Sequence, residues 1–255
     1  MTSQVDKAQL FRRMHVPHKP LILYNIWDAG SAKAVERAGA RALATSSWSV
    51  SAAQGYADGE ELPLDAALSA IERIVQSVDL PVSVDFEGGY AIAPMAVGQN
   101  ARRLLALGVV GLNFEDQLVN APGLFSVSDQ TARLRAIRSV ADAVGVPVFI
   151  NARTDVFLKA APEVNHASLF DEALSRAAAY AEAGADGFFA PGLTDTSLIS
   201  RFCAMAPLPI NVMTANSQNI DKLAAAGVAR ISFGPSPYID LTAALVREAQ
   251  VCFTQ

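Results

Sequence analysis

The chain has little of what usually announces a chemistry. Its 255 residues include two cysteines and three histidines. Cys203 and Cys252 fit neither a metal-ligand spacing nor a disulfide framework, so they read as reduced thiols of a cytoplasmic protein. His15, His18 and His166 lie away from the strand ends inferred below, and no Ser/His/Asp or Cys/His pairing stands out. Net charge is −5 without a Lys/Arg cluster, which argues against nucleic acid as a partner. No apolar run approaches the roughly 20 residues that span a bilayer. The first twenty residues, MTSQVDKAQLFRRMHVPHKP, lack the apolar stretch of a signal peptide. No GxGxxG follows the first apolar run, which removes support for a dinucleotide-binding sheet.

What is present is apolar and periodic. Hydrophobic residues make up 51% and charged residues 18%, a composition suited to a large globular core. Short apolar runs alternate with Ala/Leu-rich helical patterns from residue 20 onward. The strand candidates are 21–28, 41–47, 81–87, 109–116, 147–155, 186–192, 208–214 and 229–235, eight in all. Helical patterns fall near 31–39, 64–78, 94–107, 129–143, 168–183, 195–204, 217–226 and 237–251, after a short helix over about 4–14. The junctions ERAGARAL, LALGVVGL, EAGADGFF and AAAGVARI each place Gly where a helix stops and a strand starts. Eight such alternations without a break in composition predict one domain over 1–255, a (β/α)8 TIM barrel, with 1–19 as N-terminal helix and lead-in. An open doubly wound sheet is the alternative. Long connections at 47–63 and 117–128, and a smaller one at 159–167, would sit at the C-terminal face, where barrels build their active sites.

Parity along the strands puts charge inside that face. In PVSVDFEGGY (81–90), Val82, Val84 and Phe86 alternate with Ser83, Asp85 and Glu87, so the acids point inward if the valines meet the helices. Asn113 and Glu115 share a face on the next strand, as do Asn151, Arg153 and Asp155 on the one after. Asp85, Glu87 and Glu115 could not all stay ionised at close range without a compensating charge. A divalent cation supplies it, and an all-oxygen set without His or Cys favours Mg2+ or Mn2+ over Zn2+. The plainer alternative is that these acids pair with arginines or cap helices. Arg153 could clamp a carboxylate or oxyanion bidentately, or form a structural salt bridge to Glu115 or Asp155. TSSWS (45–49) offers hydroxyl and N–H donors, Trp27 and Trp48 could line a pocket, and Asp28 reads as a helix N-cap.

With those residues in view, the chain resembles the isocitrate lyase/phosphoenolpyruvate mutase superfamily, in particular its small bacterial phosphonomutase-like branch. The likeness runs from about Leu21 to Pro235. It is carried by TSSWSVSAAQGYADGE (45–60), SVDFEGGY (83–90), GLNFEDQ (111–117) and INARTDVF (150–157). The resemblance implies a Mg2+-dependent barrel acting on a small 2-oxo acid through an enolate. It assigns Asp85 to the metal, directly or through water, with Glu87 and Glu115 completing the shell. Asp58 corresponds to an acid beside the metal water and substrate. Ser46, Ser47 and Trp48 match the segment that holds the substrate carboxylate or phosphonate, and Arg153 the anion-binding arginine.

The departures bear on specificity. The loop QLVNAPGLFSVS (117–128) lacks the Lys-x-Cys-Gly-His segment of the C–C lyases, and only Asn120 can stand for the Lys and Asn or Thr of the mutases and hydrolases. Glu87 replaces the usual Asp, and Ala44 an aromatic platform. The expected function is cleavage or rearrangement of the C–C or C–P bond at C3 of an oxaloacetate- or phosphonopyruvate-type acid. The alternatives are a phosphoenolpyruvate mutase proper, a non-catalytic binder of Mg2+ and a 2-oxo acid, or an assembly role without metal. Such proteins commonly form homo-oligomers, often by exchanging a C-terminal helix, and a homo-oligomer, with or without such exchange, is expected here.

Overall fold

A computed structural model describes residues 3–119 and 121–253; Asn120 lies outside them. Helix α1 (Gln4–Arg13) starts at Ser3, whose hydroxyl accepts the Asp6 N–H. Then come β1 (Leu21–Leu23), α2 (Ala29–Arg37), β2 (Leu43–Ala44), α3 (Ser47–Ala53), α4 (Leu64–Ser77) and β3 (Val82–Asp85). They are followed by α5 (Pro94–Leu105), β4 (Gly111–Glu115), α6 (Val127–Ala143), β5 (Phe149–Arg153), α7 (Phe170–Glu182) and β6 (Gly187–Phe189). The chain ends with α8 (Thr196–Met205), β7 (Ile210–Met213), α9 (Ile220–Ala225), β8 (Arg230–Ser232) and α10 (Ser236–Phe253). Asp28 caps α2 in a reciprocal box with Ser31.

All eight strands run parallel, in the order β1-β8-β7-β6-β5-β4-β3-β2. The ring closes between β1 and β2 through one bridge, Ile26 to Thr45. The Ile26 N–H donates to Ala44 O at 2.9 Å and the Ser46 N–H to Ile26 O at 3.2 Å. This is the (β/α)8 barrel that the alternation predicts. Gly39, Gly108, Gly184 and Gly227, at the helix-to-strand junctions, adopt φ between +93° and +97°, where a side chain would be strained.

Two differences from the sequence reading matter for function. Each strand is only two to five residues long, shorter than its apolar run, because the run continues into loop backbone after pairing stops. After β3 the chain turns abruptly: Glu87 and Tyr90 sit at φ 50° and 55°. Within the stretch read as a loop at 47–63, residues Ser47–Ala53 form α3, capped by Ser46, whose hydroxyl accepts the Ser49 N–H.

Apolar side chains fill two compartments. Val82, Val84, Phe86, Leu112, Phe114, Ile150 and Ala152 face outward and pack with Ile71, Leu104 and Ile137 of the helices. The bottom of the barrel is filled by Leu21, Leu23, Ala42, Val110 and Phe149, and α1 plugs it with Phe11. Phe11 meets Phe149 edge-on at 5.7 Å, and its burial contributes about 1.5–3 kcal/mol. His15 stacks on Phe149 at 3.9 Å. Burial first, and then the Arg230 charge, push its pKa down to about 3, so it packs as a neutral ring. Among the described residues no helix is long and apolar enough to cross a membrane.

One polar network lies between the barrel and α7. Asp116, fully buried, accepts from Thr154 Oγ1 at 2.7 Å, Asp155 N at 3.0 Å, Tyr180 OH at 2.7 Å and Arg176 Nη1 at 3.2 Å. Arg176→Ala leaves that carboxylate buried without its cation. The expected loss is about 3–5 kcal/mol of unfolding free energy, read from urea denaturation against the parent protein.

Candidate active site

Parallel register brings the inward residues of neighbouring strands to one height at the C-terminal mouth. Asp85 lies opposite Asn113, and Asn113 opposite Asn151. One layer higher, Glu115 lies opposite Arg153, and Arg153 opposite Phe189. Above them is a cavity of about 210 Å3 lined on one side by Ser46, Ser47, Asp58, Asp85 and Arg153. A larger, shallower groove on the flank of the barrel lies away from these groups.

Arg153 is the hub of the charges. Its Nε donates to Asp155 Oδ1 at 2.6 Å and its Nη2 to Asp155 Oδ2 at 2.9 Å, a bidentate pair. Its Nη1 lies 3.0 Å from Glu115 Oε2 and 3.7 Å from Asp85 Oδ2. Both salt bridges that the sequence reading set as the alternative to a clamp, to Asp155 and to Glu115, are thus formed, and the bidentate edge of the guanidinium is occupied by Asp155. Three anions hold Arg153 well above the ordinary range, against burial that opposes them. Burial also pushes Glu115 well up, offset by Arg153 and reinforced by Asp155 and Asp85.

Glu87 does not sit at the depth of Asp85. Its Oε2 accepts the Gly59 and Glu60 N–H groups at 3.1 and 2.6 Å, and its Oε1 accepts the Tyr90 hydroxyl at 3.0 Å. Glu60 returns the contact by accepting the Tyr90 N–H at 2.7 Å. The extra methylene of Glu thus ties the strand-three turn to the loop that carries Asp58. Glu60, Glu87 and Tyr90 all have positive φ, so the junction is held in a strained backbone form by these bonds. Asp58 hydrogen-bonds Ser47, and its pKa is raised by burial and then by Asp85.

Ser46, Ser47, Trp48, Asp58, Asp85 and Arg153 therefore share one cavity, and Glu115 borders it through Arg153. Trp48 is about one-third exposed and packs edge-on to Tyr238 at 5.9 Å; Trp27 meets the same tyrosine from another side at 5.1 Å. The loop of Asn120 is pinned at its base by a bridge between Gln117 and Leu124. Sequence reasoning missed Asn25, whose side chain accepts the Phe233 and Gly234 N–H groups at 2.9 Å each and donates to Thr45 O at 2.8 Å. It also missed the buried Arg133, which lies over Phe125 at 3.9 Å and donates to the Gly88 carbonyl. A long cation on an otherwise apolar helix face was the available signal.

Among the described residues no three Asp, Glu, His or Cys side chains stand close enough to cage a metal ion by themselves. The reason is visible in the bonding: both Glu87 oxygens are taken by the loop and Tyr90, and Glu115 by Arg153. Asp85 is different. Its Oδ2 accepts Ser47 Oγ at 3.2 Å, while its Oδ1 is buried with no hydrogen-bond partner. A buried carboxylate oxygen without a donor is costly, and Mg2+ characteristically takes one or two carboxylates and keeps several waters. The residues present fit such an ion.

A parallel barrel with an arginine, several carboxylates and a metabolite-sized cavity at its C-terminal mouth has the architecture of a barrel enzyme. The family model for phosphoenolpyruvate phosphomutase matches residues 11–253. A 2-methylisocitrate lyase of Salmonella typhimurium is 32% identical over 210 residues, covering 80% of this chain and 68% of the lyase. A structure from Burkholderia cenocepacia J2315, provisionally assigned as a phosphonomutase, superposes with TM-score 0.94 at 46% identity, over 97% of this chain and 99% of that one. A phosphonopyruvate hydrolase solved with oxalate and Mg2+ shares the fold at 22% identity and TM-score 0.83, over 97% and 87% of the two chains. The chain belongs to the phosphoenolpyruvate phosphomutase family, within the isocitrate lyase/phosphoenolpyruvate mutase superfamily. Its relatives there include 2-methylisocitrate lyases and a phosphoenolpyruvate phosphomutase.

Crowding of acids gives stability a defined pH dependence. Burial, and then the charge of Asp58, raise Glu87 from 4.5 to about 7. Between those values the folded chain keeps a proton that the unfolded chain has lost, so stability falls as pH rises through this window. In chelator-treated protein the expected loss from pH 4.5 to 7.5 is on the order of 3 kcal/mol for this group. Glu87→Gln should flatten the profile in urea titrations across that range.

Proposed function

We propose that the chain is a Mg2+-dependent enzyme that cleaves or rearranges the C–C or C–P bond at C3 of a small 2-oxo acid through an enolate. The observation that carries this reading is the charge balance at the mouth. Among the described residues Arg153 is the one cationic side chain lining the cavity, and it already faces Asp155, Glu115 and Asp85. An anionic oxo acid entering beside those acids and Asp58 needs further positive charge. Asp85, with Glu87 and Glu115, would hold Mg2+, which would supply that charge and Lewis-acid polarisation of the substrate oxygens.

The chain's own residues then have separable tasks. Ser46, Ser47 and Trp48 bind the carboxylate end. Arg153, fixed by its bidentate partner, stabilises negative charge developing on the enolate oxygen without having to reorganise. Asp58 keeps its proton closer to neutrality than an ordinary carboxyl and is placed to hand it to C3. Asn120, which belongs by sequence to the 117–128 connection, is assigned to orienting the group that leaves. The absence of cysteine from its loop favours a reaction in which Asp58, not a thiol, moves the proton.

The test is turnover with Mg2+ of oxaloacetate, phosphonopyruvate, oxomalate and methylisocitrate. At least one should react, and chelation should abolish the activity. Arg153→Lys should lower kcat/KM by about 10²–10³, and Asp58→Asn should lower kcat by about 10²–10⁴. Mg2+ should raise the melting temperature of the parent but not of Asp85→Asn. Turnover of none of the four, with the Mg2+-dependent melting shift intact, would leave a binding protein instead.

We also propose a homo-oligomer. Of α10 only Pro237 is buried, while Leu241, Leu245, Val246, Val251 and Phe253 are exposed. Between α2 and α10 lies an apolar groove of about 680 Å3 that includes Tyr24, Trp27, Val35 and Leu241. A second copy covering these surfaces would remove from water a patch that monomers rarely expose. Light scattering should return a multiple of 26.9 kDa, and Leu245→Glu should shift it toward the monomer.

A further inference from the structure

The cavity has two chemically opposed walls. Every ionised group that reaches it comes from the β2–β5 side of the barrel. The wall opposite is built of Phe189, Pro191, Met213 and Pro235 from strands six to eight and the loops after them, joined by Leu158 from the connection after β5 and with Trp48 at the rim. Phe189 stands in register beside Arg153, so the change from charge to hydrocarbon occurs across one strand-to-strand step. The polar groups on that side are already committed. Asn211 and Ser232 hydrogen-bond each other at 3.3 Å, and Asn25 has its oxygen and one amide N–H engaged by backbone. Among the described residues no cationic side chain lines that wall to meet a further anionic group. The apolar wall is also built closely: at Gly234, with φ +57°, a Cβ would stand 2.5 Å from Met213 Sδ, so glycine is what lets that sulfur close the wall.

We propose that, besides the group whose bond to C3 breaks, the substrate carries an uncharged, apolar substituent at C3, an alkyl or aryl group of a few carbon atoms that lies against Phe189 and Met213. The inference rests on the reading of the mouth as a 2-oxo-acid site. It adds that the preferred member of this class is a 3-substituted one. An anionic group on that substituent, beyond the carboxylate or phosphonate that leaves, would be desolvated against hydrocarbon without a partner. The cavity, at about 210 Å3, falls below the roughly 300–1,000 Å3 of sites for drug-sized ligands, which limits the substituent to a short chain or single ring.

Calorimetry on the Mg2+-loaded full chain separates the two readings. The probes are oxalate, pyruvate, 2-oxobutyrate, 2-oxovalerate, phenylpyruvate and the charged-tail acid 2-oxoglutarate. Each methylene added from pyruvate to 2-oxovalerate should tighten binding by roughly fourfold, and 2-oxoglutarate should bind at least tenfold more weakly than 2-oxovalerate. Phe189→Asn should flatten the chain-length series. The more exposed Leu158→Gln, checked for folding by circular dichroism, should weaken phenylpyruvate more than pyruvate. Oxalate binding with no gain along the series, or preference for 2-oxoglutarate, overturns this inference and leaves the oxo-acid reading standing. Failure of oxalate and every oxo acid to bind overturns both.

Discussion

One guanidinium against a crowd of carboxylates is the constraint on which the site depends. Arg153 meets Asp155 along one edge, Glu115 on the other, and Asp85 at longer range. Its own pKa is secure, so the strain of the arrangement falls on the acids: Asp58, Glu87 and Glu115 are all displaced upward, with burial the first cause in each. A mouth built this way is short of positive charge. It is therefore selective before any substrate contact is considered, because an anion enters only with a cation or a proton to accompany it.

The barrel below is graded to support that mouth. Its floor is hydrocarbon and aromatic rings, plugged by Phe11. Its middle is amide and guanidinium: Asn113 accepts from Asn151 at 2.8 Å and from Arg230 at 3.0 Å. Arg230 is drawn down to about 9 by burial, partly relieved by the Asp85 charge above it. Short strands suffice for this, since each contributes one or two inward side chains per layer and the loops do the rest. The loops are not loose appendages. Glu87, Glu60 and Tyr90 lock one to another, and Asn25 staples three segments where the first, second and eighth strands end.

The eightfold alternation, the helix-ending glycines and the inward parity of Asp85, Asn113, Glu115 and Arg153 were all legible in the chain, because each follows from a local rule of period or backbone sterics. Asp28 was legible as a cap for the same reason. What parity could not tell was where a strand stops. Glu87 follows Asp85 by two residues and on an extended strand would face the same interior one layer above it, yet a turn with positive φ carries it to the 59–60 backbone. Nor could it tell Asp116 from Glu115, adjacent acids of which one meets Arg153 and the other a buried Arg176 and Tyr180 on the far side of the sheet. The apolar half of the cavity was invisible because Phe189 and Met213 look, in sequence, like ordinary core residues. Only closure of the ring brings them opposite the acids.

The narrow join between the first and second strands has a dynamic consequence. Seven of the eight lateral contacts in the ring are ladders of two to five residue pairs, whereas this one is a single bridge at Ile26 and Thr45. Thermal breathing of a cylinder begins at its thinnest lateral contact, so the amides of Ile26 and Ser46 should trade protons with solvent sooner than those of the β4–β5 ladder. Ser46 begins the segment that faces the cavity. The slackest stave of the barrel is thus the one beside the ligand, and a molecule bridging Ser46 and Arg153 would act as a hoop.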